Sequence, residues 1–154
     1  MERTCVLIKP DALHRSLLGE IIHRFERKGL KVVGLKMMEI SDLKIDEHYA
    51  HHKDKPFFDG LKQFMQSAPI TAIVLEGVDA VEAVRIIVGP TKGREAPAGT
   101  IRGDFAMSTQ ENLVHASDSV EAAQVEITRF FDDGEIFAYE KVCAPWVYAD
   151  EERA

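Results

Sequence analysis

The pattern of apolar and polar positions divides the chain into alternating strand-like and helix-like segments. Thr4 to Lys9, apolar from Cys5 to Ile8, reads as a buried strand that stops at Pro10. Leu18, Ile21, Ile22 and Phe25 then recur at helical spacing until Gly29 ends the helix. Lys31 to Ile40 is rich in Val, Leu and Met with partial alternation, which predicts a second strand. A polar helical stretch over Asp42 to His52 and a short amphipathic helix over Phe57 to Gln66 lead to Pro69, which opens the clearest strand, Ile70 to Leu75. Asp79 followed by Glu82 is an aspartate form of the capping box, heading a helix with Val81, Val84, Ile87 and Val88 on its apolar side and a stop at Gly89-Pro90. A last helix begins near Asp118, with Glu121 three residues on, and places Val120, Ala123, Ile127 and Phe130 on one face. Ile136 to Tyr139 can supply a closing strand.

The order β-α-β-β-α-β with additional helices belongs to the ferredoxin-like α+β class, a small antiparallel sheet with helices on one face. At 154 residues the chain suits one domain, 1–154, that buries a core without disulfide or metal staples. Such a fold hosts many functions and names none of them.

Composition removes several classes. The longest apolar runs are far too short to span a bilayer, and the first residues lack the basic flank and long apolar stretch of an export signal, so a cytosolic location is the expectation. Cys5 and Cys143 form neither a disulfide framework nor a zinc spacing and read as reduced thiols. A net charge of −7 argues against general affinity for nucleic acid. An RNA-binding module of this fold would also show aromatics on its central strands, and the segments near Thr4 and Thr71 offer none. Against this acidic background one basic cluster stands out, with Arg85, Lys92, Arg94 and Arg102 against Glu95 alone. It overlaps a segment, Gly89 to Gly103, that holds four glycines and two prolines, the first place to look for a ligand.

The chemistry-bearing residues are individually ambiguous. His115, between apolar neighbours and the polar run Ser117-Asp118-Ser119, would be nucleophilic if one ring nitrogen were unprotonated and the other held by a partner, for which Ser117 and Glu126 are candidates. Position alone favours a partly buried structural histidine. Arg85 shares a narrow polar sector of its helix with Glu82 and reads as a surface arginine, while Arg102 could grip phosphate oxygens through its guanidinium fork. Lys9 emerges at a strand end, where function and surface are equally served. No Walker or dinucleotide glycine pattern is present. His48, His51 and His52 could share one side of a helix, but a polar, solvated helix is the simpler reading. Phe57 and Phe58 cannot both face a core, so one can offer a stacking surface.

Asn112-Leu113-Val114-His115-Ala116-Ser117-Asp118-Ser119 resembles the active-site signature of the nucleoside diphosphate kinase family, Asn-x-x-His-x-Ser-Asp-Ser. The resemblance extends from Ile8-Lys9-Pro10-Asp11 through His48-Tyr49, Lys55-Pro56-Phe57-Phe58 and Thr100 to Phe105, as far as Trp146. It implies transfer of the terminal phosphate from a nucleoside triphosphate, mainly ATP, to a nucleoside diphosphate by a ping-pong route through a phosphohistidine at His115. In the same way it implies that Glu126 and Ser117 orient that ring or bond the transferring group, that Lys9 and Tyr49 complete the catalytic group, and that Lys9, Arg85, Thr91 and Arg102 hold phosphates. Lys9 and Asn112 would bond the ribose, and Phe57 and Leu61 would line the base. Mg²⁺ is implied as the cofactor, carried on the nucleotide phosphates without a dedicated protein cage, with Asp118 as the carboxylate beside it. The implied partners are nucleoside di- and triphosphates and further copies of the chain, as a hexamer or, alternatively, a tetramer, with no nucleic acid and no membrane.

The sequence departs from the family pattern in three places. Ala12 stands where a glycine is usual and Thr109 where a valine is frequent. Thr91-Lys92-Gly93 and Ala98-Gly99-Thr100 lack two prolines that usually stiffen the loop.

Overall fold

The computed structural model describes residues 1–153. Four strands form one antiparallel sheet in the order β2-β3-β1-β4: β1 is Glu2–Ile8, β2 Lys31–Met38, β3 Ile70–Gly77 and β4 Val114–Ala116. Seven α-helices connect and cover it: α1 (Pro10–His14), α2 (Leu18–Lys28), α3 (Asp42–His48), α4 (Phe58–Met65), α5 (Ala80–Val88), α6 (Ile101–Phe105) and α7 (Val120–Phe130). This is the expected ferredoxin-like α+β architecture.

The expectation of helices on one face does not hold. Val6 and Ile8 of β1 pack with Ile21 and Phe25 of α2 and Val84 and Val88 of α5. Cys5 and Leu7, whose side chains leave the strand on the opposite side, pack with Ile45 of α3, Leu61 and Met65 of α4 and Phe130 of α7. Burial on both faces explains why β1 and β3 read as continuous apolar runs rather than as alternating strands.

Two element assignments also change. Ile136 to Tyr139 is not a strand: it lies beside β2 through Phe137 N–H to Val33 O (2.8 Å) and the Tyr139 hydroxyl to Val32 O (2.7 Å), without a ladder. The fourth strand is β4, which pairs Leu7 with His115 and so places the signature histidine on the sheet. At α5 the capping box is absent, because Asp79 adopts a left-handed conformation (φ 46°) and makes no side-chain cap. The helix is capped from a distance instead, by the Glu2 carboxylate accepting from Val81 N–H at 2.7 Å. At α7 the cap is Ser119 rather than Asp118, its hydroxyl accepting from Ala122 N–H at 3.1 Å.

Candidate active site

β4 and α7 set the centre of the site. The antiparallel pairing of β4 with β1 fixes the His115 backbone, and the register of α7 brings Glu126 to the edge of the ring: His115 Nε2 lies 2.9 Å from Glu126 Oε1. Ser117 does not touch His115. Its hydroxyl donates to Glu126 Oε2 at 2.6 Å and accepts from Cys5 N–H at 3.2 Å, so it orients the carboxylate. Burial pushes the Glu126 carboxyl upward, but the hydrogen bonds from His115 and Ser117 and the Arg129 charge together hold it below its ordinary value. Glu126 is therefore an anion that accepts from His115 Nε2–H, which in the neutral imidazole leaves the lone pair on Nδ1.

The chain just before β4 is held in a costly conformation. Leu113, a buried non-glycine residue, has φ 74°, an arrangement that costs on the order of 1–3 kcal/mol unless its surroundings enforce it. They do: Leu113 N–H donates to Asp11 Oδ2 at 3.0 Å and Leu113 O accepts from Lys9 N–H at 2.8 Å. Asp11 was absent from the candidates read from sequence. Its place directly after Lys9-Pro10, at the start of α1, was the available signal.

Lys9 is buried, and its ammonium donates to Asn112 Oδ1 at 2.7 Å and Gln110 O at 3.2 Å. Burial, reinforced by the Arg102 charge and opposed by Asp11, brings its pKa down to about 8. Asn112 spends its amide N–H groups on Thr91 O and Thr109 O, tying the glycine-rich segment to the signature segment. Arg102 sits on α6 rather than in a loop, and it is largely committed to the backbone: Nε, Nη1 and Nη2 donate to the carbonyls of Asn112 (3.3 Å), Gly89 (2.9 Å) and Val114 (2.6 Å). Burial and the neighbouring Arg85 lower its pKa to about 10. Two of its five N–H groups remain for a ligand.

The segment that lacks the usual prolines is pinned by other means. Gly93 N–H donates to Ser108 O at 3.2 Å, a bond that a proline there could not make. Asp104 Oδ1 accepts from Gly99 N–H at 2.8 Å, and a Cβ on Gly103 would stand 1.9 Å from Pro97 O, so only glycine lets Pro97 close over α6.

His115, Glu126, Lys9 and Arg102 line a cleft of about 670 Å³ together with Tyr49, Phe57, Leu61, Arg85, Thr91 and Asp118, while Asn112 and Ser117 are buried behind that lining. Phe57 is 47% exposed while Phe58 is 7% exposed, so the aromatic pair is divided between cleft and core. Tyr49 is buried with its hydroxyl against Met65 Sδ (3.8 Å) and its ring 6.5 Å from that of His115. His48 contradicts the solvated-helix reading: it ends α3, is buried, and faces His115, whereas His51 is exposed.

A cleft with a carboxylate-oriented imidazole, a buried lysine and two arginines suits transfer of an anionic group between ligands. The family model described as nucleoside diphosphate kinase matches residues 2–136. This chain belongs to the nucleoside diphosphate kinase family. A nucleoside diphosphate kinase from Parabacteroides distasonis is 51% identical over 99% of each chain, and one from Archaeoglobus fulgidus is 50% identical over 97% of this chain and 99% of its own. The structure of a halophilic nucleoside diphosphate kinase from Halobacterium salinarum in complex with CDP superposes with a TM-score of 0.94 at 47% identity, covering 96% of this chain and 99% of that one. As a nucleoside diphosphate kinase the chain is a nucleotide-binding phosphotransferase that moves phosphate between nucleotides. No helix among the described residues is long and apolar enough to cross a membrane.

Proposed function

We propose that the chain carries the terminal phosphate from a nucleoside triphosphate, mainly ATP, to a nucleoside diphosphate through a phosphohistidine at His115, in ping-pong fashion. The observation that carries this reading is the 2.9 Å contact from His115 Nε2 to the ionised Glu126, which leaves Nδ1 as the nucleophilic nitrogen. Nδ1 attacks the γ-phosphorus, the bond to the β-phosphate oxygen breaks, and the nucleoside diphosphate departs. A β-phosphate oxygen of the second nucleotide then attacks the same phosphorus and the N–P bond breaks. The imidazole gains positive character as the N–P bond forms, and Glu126, held by Ser117, stabilises it.

Lys9, Arg85, Thr91 and the free N–H groups of Arg102 hold phosphate oxygens. Lys9 and Asn112, bonded to each other, face the ribose. Phe57 and Leu61 take the base by stacking and apolar contact, which reads no base edge. Tyr49 contributes its ring as wall beside His115 rather than its hydroxyl.

Asp118 is an exposed oxygen donor in the cleft, consistent with Mg²⁺ arriving on the nucleotide, where it would neutralise phosphate charge. The His48, His115 and Glu126 donors are a poor match for that hard cation, being mostly nitrogen.

The reading extends to a single domain over 1–154, a cytoplasmic location and a homo-oligomer, a hexamer by preference. Leu35 and Met37 on edge strand β2, and Val142 and Trp146 at 92% and 91% exposure, are apolar surface that further copies would cover. Native mass measurement tests the assembly. Incubation with ATP labelled on the terminal phosphate tests the mechanism: an acid-labile protein label is expected, absent in His115→Ala. A label that persists in that variant, or none in the wild type, would overturn it.

A further inference from the structure

The cleft contains a buried imidazole that the transfer steps leave without a task. The His48 side chain is 1% exposed. Its ring stands edge-on to those of His115 (centroids 4.4 Å apart, planes at 85°), Tyr49 (4.6 Å) and Phe130 (5.2 Å). Burial, and after it the charges of His115, Arg129, His51 and Lys9, bring its pKa down to about 2, so the ring is neutral. The 3.8 Å between His48 Nδ1 and Glu126 Oε1 is therefore not an ion pair.

A neutral imidazole has one N–H and one lone pair, and its partners decide which nitrogen carries the proton. Arg129 Nη1 lies 3.3 Å from His48 Nδ1. A guanidinium can only donate, so Nδ1 is the acceptor and the proton sits on Nε2. Nε2 is buried with no hydrogen-bond partner among the described residues, so nothing on that side of the ring selects this form. The other tautomer would put an N–H on Nδ1, 3.8 Å from the oxygen that His115 already uses at 2.9 Å and within reach of it after a small side-chain shift.

We infer that Arg129 is a positioning residue that locks the His48 tautomer: by donating to His48 Nδ1, it keeps His48 from competing with His115 for Glu126 Oε1. The carboxylate then stays committed to His115 Nε2, and His115 Nδ1 stays available for phosphorus. This rests on His115 as the nucleophile. Arg129 follows Glu126 by three residues on α7, which sets both side chains on one helix face. A metal-binding role for the same cluster is disfavoured by this arrangement. The donor atoms of His48, His115 and Glu126 lie within 4.8 Å of one another, but a permanent guanidinium charge 3.3 Å from one of them opposes a dication there.

The test combines imidazole ¹⁵N NMR of the full chain with single-turnover phosphorylation by ATP and Mg²⁺. In the wild type, and in Arg129→Lys, which keeps a donor, His48 should be protonated at Nε2. In Arg129→Met the proton should move to Nδ1 and phosphorylation slow at least tenfold. Adding His48→Phe, which keeps the ring but has no competing donor, should restore most of that rate. A wild-type His48 protonated at Nδ1, a tautomer unchanged in Arg129→Met, or a double variant as slow as Arg129→Met overturns the lock. Label on a residue other than His115 in the wild type overturns the nucleophile reading instead, and the tautomer measurement distinguishes the two failures.

Discussion

The two faces of β1 are built for different ends. On one, Val6 and Ile8 join an apolar cluster with side chains from α1, α2 and α5, where burial is the main contribution. On the other, Cys5 and Leu7 meet an equally apolar layer, but that layer borders Ser117, Glu126 and His48, all buried polar groups. Ser117 and Glu126 are hydrogen-bonded, and the Cys5 backbone itself takes part. The difference teaches that the sheet supplies stability through one face and geometry through the other. Hydrogen-bonded buried polar groups are held rigidly, and this pair ends on the His115 ring, at Nε2.

The comparison can be broken by exchanging the kinds of damage. Glu126→Gln retains an acceptor for His115 and loses the charge, so kcat should fall roughly 100-fold while the thermal midpoint changes little. Steady-state kinetics beside a melting curve measures both, and a large loss of stability with normal kcat would reverse the assignment of the two faces. Phe25→Ala on the first face should do the opposite, costing about 3–5 kcal/mol of stability with the kcat of the folded fraction intact, read from denaturant unfolding and active-site titration.

Lys9 supplies a graded test. Its pKa near 8 lies below the ordinary lysine value, so the charged form that would hold phosphate is lost as pH rises through about 8. kcat/KM should decline above that point, and in Lys9→Arg the decline should be displaced to higher pH. The stability contribution of Lys9 has the opposite sign. Above its folded pKa the native chain has released a proton that the unfolded chain still holds, so this term stabilises increasingly from about pH 8 towards 10. A kcat/KM that stays level through this window would remove Lys9 from phosphate binding. The smallest effect expected is that of Ser119→Ala, which removes the α7 cap and should cost about 1 kcal/mol. A drop in kcat far beyond that stability loss would mean that the α7 terminus also tunes Glu126.

Legibility in the sequence followed the length of each signal. α2, α5 and β3 carry long periodic or continuous patterns and were placed within a few residues. β4 was missed because three residues, Val-His-Ala, contain too little pattern to show a period, and because its partner β1 lies more than a hundred residues away. Ile136 to Tyr139 carried more strand-like composition yet made no ladder. The α5 cap was misread since its actual partner, Glu2, is distant in sequence and no local pattern can report it.

By itself the sequence determined the alternation of strands and helices, the absence of a disulfide framework, and the cluster of basic residues near a glycine-rich segment. Through its resemblance to a family, it also indicated most of the residues that line the cleft, Asn112 and Ser117 excepted. Only the tertiary structure decided what those residues do to one another. It made Ser117 a partner of Glu126 rather than of His115, committed most of Arg102 to backbone carbonyls, and buried His48 against the His115 ring. The physical reason is that periodicity and composition act over a few neighbouring residues. Hydrogen-bond partners, protonation states and tautomers depend on which atoms the fold brings within about 3 Å.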